Sequence, residues 1–221
     1  MYRVGMSVDK IRIANRIAKG KTSELVGQDP DVNPDLKNPE SVSGHNDLID
    51  IPNVRQYNDF TCGSACLLAI LAYYGKYDGR EDDLASELRT NPINGTNADD
   101  IVKIARKFGL NAERRENADL KIIESSLRRK TPIIVNFQAW SDSGSDYRHS
   151  NEDGHYAIVT GMDDENLYFR DPSMNGKIGR LSKADFMQRW HDEDAQSDVE
   201  RMCILFHDNM IPRIEEIEYI G

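Results

Sequence analysis

A chain of 221 residues with 38% hydrophobic and 30% charged positions is ample for one packed domain and short for two. Its formal net charge of −10 sets most of the surface against phosphate, which argues against nucleic acid as a partner. No run reaches the roughly 18 apolar residues of a membrane span and no secretory signal opens the chain. Three cysteines make no disulfide framework, so a cytoplasmic, reducing location is expected.

In chain order, IRIANRIAKG at 11–20 places Ile11, Ile13, Ile17 and Ala18 among Arg12, Arg16 and Lys19, a short basic amphipathic helix. From Thr22 to Asp47 the chain is polar and carries Pro30, Pro34 and Pro39, the composition of an extended arm or a pro-segment. The compact domain is expected over 48–207, followed by a Glu-rich tail at 208–221. Leu67, Leu68, Ile70, Leu71 and Tyr74 recur at helical spacing from Cys62, and Gly75 is placed to end that helix. A second helix is expected over Asp82–Leu88. A third, capped by Thr96 or Asn97, uses Ile101, Ile104, Ala105 and Phe108 before Gly109. A fourth, Leu120–Arg129, buries Ile122, Ile123 and Leu127.

The texture then changes. Pro132–Phe137 is short, apolar and branched, which predicts a buried strand. A polar loop, Ser141–Asp153, follows, first of all a solvated surface loop, with a lid or specificity loop as the functional alternative. Strands are expected over His155–Gly161 and Leu167–Asp171, joined by Asp163–Glu165, and over Lys177–Leu181. Ser182 can cap a helix containing Phe186, Met187 and Trp190, and Met202–Phe206 closes as a strand. Trp140, Trp190 and the Tyr73–Tyr74 pair are expected in the core. Helices first and strands afterwards indicate an α+β fold with an antiparallel sheet.

The chemistry centres on Gln56–Gly75. Cys62 falls where turn-forming Asn58, Asp59 and Thr61 give way to the helix, and a helix N-terminus favours a thiolate over a thiol. Gly63, Ser64 and Ala65 are small, so backbone and substrate can approach closely. Gln56, six residues upstream, is an amide donor for an oxyanion. His155 begins one strand, and Asp171 ends the next with Pro172 behind it. With a three-residue loop, Met162 faces Asn166 and Ala157 faces Asp171, so His155 is the same-face diagonal neighbour of Asp171. A one-residue slip would separate the faces; an odd loop or a bulge preserves the match. The roles that follow are Cys62 as nucleophile, His155 as base and acid, Asp171 as its orienting carboxylate, and Gln56 with the Cys62 N–H as oxyanion donors.

These residues resemble the papain-like cysteine peptidases, and most of all the bacteriocin-processing, double-glycine-leader family, family thirty-nine of that clan, and its stand-alone relatives. The matching residues are Gln56, Cys62-Gly63, Ala65, His155-Tyr156 and Asp171-Pro172, within about Ile51–Phe206. The resemblance implies a papain-like fold, a Cys62–His155–Asp171 triad, Gln56 in the oxyanion hole, and Gly63, Gly154 and Tyr156 at the substrate. A peptide or protein is the implied substrate and no cofactor is implied. Thr61 departs from the acidic residue that often precedes the family's cysteine. No Gly-Gly pair occurs in the chain, and the exporter members' membrane and ATPase domains have no counterpart in it. Three other readings stay open: an acyltransferase on the same site, a non-catalytic peptide-binding module, and a metal site on Cys62 and Cys66 with His155 or His191. The oligomeric state is left open by the sequence.

Overall fold

The computed structural model describes residues 48–140, 146–193 and 198–207. The expected N-terminal helix and arm, the C-terminal tail and the first part of the polar loop lie outside the described residues.

Helix α1, Cys62–Tyr73, is buried at every residue but Ala72. Such a helix must be wrapped on all sides, and it is. Helices α2 (Glu81–Glu87) and α3 (Ala98–Lys107) cover it on one side and the sheet on the other. Each of Leu67, Ile70 and Leu71, fully buried, contributes about 2 kcal/mol by leaving water. Gly75 ends α1 in the left-handed region at φ 62°, as its position predicts. Asn97, and not Thr96, caps α3 by accepting from the Asp99 N–H at 2.8 Å. Helix α4 spans Leu120–Arg128 and is capped by Asp119. It buries Ile123, with Ile122 and Leu127 only packed against the core edge.

The strands are β1 (Ala112–Arg115), β2 (Ile133–Gln138), β3 (Gly154–Met162), β4 (Asn166–Arg170), β5 (Ile178–Ser182), β6 (His191–Glu193), β7 (Asp198–Glu200) and β8 (Cys203–Phe206), with α5 (Lys183–Arg189) between β5 and β6. Six form one sheet in the order β1-β8-β2-β3-β4-β5, antiparallel throughout, and β6 pairs with β7. Alternation assigns the two faces. Ile134, Tyr156, Ile158, Ile204 and Phe206 meet the core around α1 to α3. Ile133, Val135, Phe137, Ala157, Val159, Leu167, Phe169, Cys203 and Leu205 form a second core with Phe186 and Trp190. Ser182 caps α5, accepting from the Asp185 N–H at 3.0 Å.

Three expectations need correction. Strand β1 interrupts the run of helices; its AERR sequence carries one apolar residue and is held in the sheet by pairing with β8. The β3–β4 turn is one residue longer than expected, because Met162 pairs with Leu167 and not with Asn166. A bulge between Val159 and Gly161 restores the register, so that Ile158 pairs with Arg170 and the next positions along are Ala157 and Asp171. The longer turn and the bulge cancel, and the parity needed at the His155 end survives. The third is Trp140, which is 56% exposed and outside both cores.

The segment before α1 runs from the bulge to the far end of β4. The Ile49 N–H donates to Thr160 O at 2.8 Å, and the Gln56 N–H to Pro172 O at 3.1 Å. This strap delivers both Gln56 and the start of α1 to the end of the β3–β4 hairpin.

Candidate active site

Cys62 is the first residue of α1 and His155 the second of β3. The contact between these elements is fixed one turn lower, where the Cys66 thiol lies 3.5 Å from Tyr156 O. His155 Nε2 is 2.9 Å from Asp171 Oδ1, and both side chains are buried. The Cys62 side chain lies close enough to the imidazole to raise its proton affinity, and with Nε2 engaged by Asp171, Nδ1 is the ring nitrogen left for it. Phe137 of β2 stands edge-on to the imidazole, with centroids 6.1 Å apart. Burial pulls the His155 imidazole towards neutrality, but its hydrogen bond to Asp171 and the nearness of Cys62 outweigh burial and push it up to about 10. For Asp171, burial pushes the carboxyl up, while donors from His155, the Ser173 N–H and the Trp140 indole hold it below its ordinary range. The pair is therefore an imidazolium and a carboxylate at neutral pH.

Gln56 is tied to the Pro172–Ser173 end of the hairpin. Its Nε2 donates to Asn58 O at 2.9 Å and its Oε1 accepts from the Ser173 hydroxyl at 2.9 Å. One amide N–H remains uncommitted by these bonds. Thr61, at the N-cap of α1, makes no side-chain cap. Its hydroxyl turns back to the Asn58 backbone, accepting from N at 3.0 Å and donating to O at 3.1 Å. The first N–H groups of α1 are thus left to an external acceptor. A cysteine at a helix start, an imidazolium held by a carboxylate, and the first N–H groups of that helix are the parts that nucleophilic acyl chemistry uses.

The glycines of the expected substrate surface have packing reasons of their own. A Cβ on Gly63 would lie 2.6 Å from Thr96 Cβ, and one on Gly154 would lie 2.3 Å from Asp192 Oδ2. Tyr156 is buried against α1. Asp192 is a partly buried carboxylate, which that burial pushes up against hydrogen bonds from the Glu193 N–H and Gln138. Cys66 is buried in the core. Among the described residues no group of three or more His, Cys, Asp and Glu side chains is placed to hold a metal. In the described part of the polar loop, Tyr147 O takes a 2.6 Å hydrogen bond from His191.

Sequence reasoning missed two contributors. Ser173 links Asp171 to Gln56, with its N–H 2.7 Å from Asp171 Oδ1. The Asp-Pro-Ser order, a turn in which a carboxylate accepts from the N–H two residues on, was the available signal. Trp140 donates its indole N–H to Asp171 Oδ2 at 3.1 Å, and no local pattern marks it.

The Peptidase_C39 like family model matches residues 48–198. The transport/processing ATP-binding protein ComA of Streptococcus pneumoniae is 27% identical over 138 residues, and the pediocin PA-1 transport/processing ATP-binding protein PedD of Pediococcus acidilactici is 29% identical over 138. Each alignment covers 61% of this chain and 17% of the relative, so the chain spans about a sixth of the length of the curated relatives it matches. The crystal structure of the peptidase domain of Streptococcus ComA, a bi-functional ABC transporter, matches with a TM-score of 0.52 at 25% identity. That match covers 69% of this chain and 95% of the solved one. The fold is that of a papain-like peptidase domain, and the chain belongs to the C39-like peptidase family.

Proposed function

We propose that the protein is a cysteine peptidase that cleaves a peptide bond through a covalent acyl-enzyme on Cys62. The observation that carries this reading is the buried His155 imidazole, with Asp171 Oδ1 2.9 Å from Nε2 and Cys62 near enough to raise its proton affinity. With the cysteine proton already on the His155 imidazolium, at Nδ1, Cys62 Sγ bonds to the substrate carbonyl carbon. The carbonyl π pair moves onto oxygen, where the Cys62 N–H and the remaining Gln56 N–H receive it. Collapse breaks the C–N bond, and the amine leaves with the proton from His155. Water, deprotonated by the same imidazole, then attacks the thioester, and C–S cleavage releases a carboxylic acid and restores the starting pair of Cys62 sulfur and His155 imidazolium. Asp171 stays ionised and holds the ring in line throughout. Family membership supports the reaction class.

The test is to incubate the protein with a mixed peptide library in ¹⁸O-labelled water and follow the products by mass spectrometry. One ¹⁸O should enter each new carboxyl group, and acid quenching should trap a thioester on the peptide containing Cys62. Cleavage that persists in Cys62→Ala, or an acyl group found elsewhere, would remove Cys62 from the role.

A further inference from the structure

Trp140 breaks two habits of its residue type. It lies at the end of β2 with φ 63°, the left-handed region that a bulky side chain seldom adopts. It also leaves 56% of its surface in water, although it is next to a buried pair of charged groups. Strain of this kind persists where surrounding contacts over-determine it, and it gathers at functional sites. The contact in question is the indole N–H, 3.1 Å from Asp171 Oδ2. The other carboxylate oxygen already takes His155 Nε2 and the Ser173 N–H. Trp140 therefore supplies the donor that fixes the second oxygen and stops the carboxylate turning about its own axis.

We propose that Trp140 is a positioning residue, acting on the imidazole through Asp171 and resting on the peptidase reading given above. Without the indole N–H, a 5% exposed carboxylate loses the partner of one oxygen. The titratable groups around Asp171 are His155 on β3 and, from α1, Cys66 and, beyond the imidazole, Cys62. Only His155 among them donates to it, so the missing bond has no substitute among these groups. The carboxylate then holds its proton to higher pH, and the imidazole loses its fixed line.

The experiment uses the whole chain and iodoacetamide, which needs no substrate pocket. Rates of Cys62 alkylation against pH are compared for wild type, Trp140→Phe and Trp140→Gly. Both variants should show the acidic limb moved to higher pH and a rate lower by about tenfold or more, the range for a lost hydrogen bond to a charged group. Trp140→Gly should at the same time keep or raise Tm, because glycine adopts the left-handed backbone without penalty. A merely structural tryptophan would give the reverse: a lower Tm and an unmoved limb. A second readout is direct. The chain has two tryptophans, and Trp190 is 1% exposed with its N–H bonded to Met202 O. The wild-type emission minus that of Trp140→Phe isolates Trp140, and Asp171→Ala should shift this difference towards solvated indole. Identical emission with and without Asp171, or an unmoved limb in Trp140→Phe, overturns the proposal and leaves the peptidase reading intact. A moved limb and shifted emission in a protein that cleaves no peptide would overturn the peptidase reading and leave the Trp140–Asp171 coupling standing.

Discussion

The Ser173 hydroxyl donates to Gln56 Oε1 at 2.9 Å, and the orientation of the Gln56 amide follows from it. Asn58 O is a carbonyl and can only accept, so the NH₂ group must face it, at 2.9 Å, and the oxygen must face Ser173. Since the Ser173 N–H also holds Asp171 Oδ1 at 2.7 Å, one residue aligns the orienting carboxylate and the amide proposed for the oxyanion. If Gln56 receives developing charge, Gln56→Ala should lower kcat by about 10²–10³-fold with little effect on folding. Ser173→Ala should give a smaller loss in the same direction. Alkylation of Cys62 by iodoacetamide forms no oxyanion and should survive in Gln56→Ala. Equal loss of cleavage and alkylation would assign Gln56 a structural role instead.

Asp171→Asn should retain the fold and impair turnover less than His155→Ala, because the proton transfers need the imidazole itself. The same pair makes stability depend on pH. His155 is held charged up to about 10 from an ordinary value of 6.5. Its contribution is therefore complete below about 6.5 and disappears as pH rises through about 10. Asp171 is held below its ordinary 3.8, so its contribution is present above about 3.8 and lost as pH falls further. The gap in unfolding free energy between wild type and Asp171→Asn should be widest near pH 4–6.5, roughly 1–3 kcal/mol there, and narrow on both sides. A gap that is flat from pH 4 to 10 would mean the two groups are not coupled in solution.

The legible parts of the site were those with a local signal. Cys62 could be placed at a helix start because turn formers give way to apolar residues there. His155 and Asp171 could be matched because both belong to one hairpin, whose parity can be argued from strand periodicity. The offset of a longer turn by a bulge at Thr160 leaves no trace in residue type, so the outcome was right for a turn that was wrong. Strands β1, β6 and β7 are short and charged, AERR, HDE and DVE, and are strands through their pairing alone. Trp140 was misread because a large aromatic is more often buried, and its exposure depends on a left-handed turn at the end of β2.

The two cysteines of α1 make a comparison within one helix. Burial, with the charges of Cys62 and Asp171 added, pushes the Cys66 thiol well above its ordinary range, and 1% of its surface is exposed. Cys62, one turn nearer the helix start, lies close enough to His155 to raise the imidazole's proton affinity. Limiting iodoacetamide at about pH 6, followed by peptide mapping, should label Cys62 first, because the thiolate is the reactive form. His155→Ala should move that labelling towards alkaline pH, and Cys66→Ser should change neither rate nor cleavage much. Sluggish labelling of Cys62 that ignores His155→Ala would favour the binding-module reading over the peptidase.

The final prediction concerns the residue beside the proposed nucleophile. A methyl group on Gly63 would meet Thr96 Cβ at 2.6 Å and Thr96 Oγ1 at 2.9 Å. Thr96 cannot swing aside, since its Cβ is fixed to the backbone one residue before the Asn97 cap and its hydroxyl lies 2.9 Å from that of Thr90. Gly63→Ala must therefore push the first turn of α1 away from α3, and Cys62 moves with it. Overpacking of this kind costs about 1–3 kcal/mol, and a displacement of about 1 Å at a reacting atom can lower the rate by about a hundredfold. The clash also predicts its own rescue. Thr96→Gly removes the opposing Cβ, so the double variant Gly63→Ala/Thr96→Gly should recover part of both Tm and alkylation rate relative to Gly63→Ala. A double-mutant cycle with no favourable coupling would show that the small residue at 63 is required by something other than Thr96, and the substrate-contact role expected from the sequence would then be the one to test.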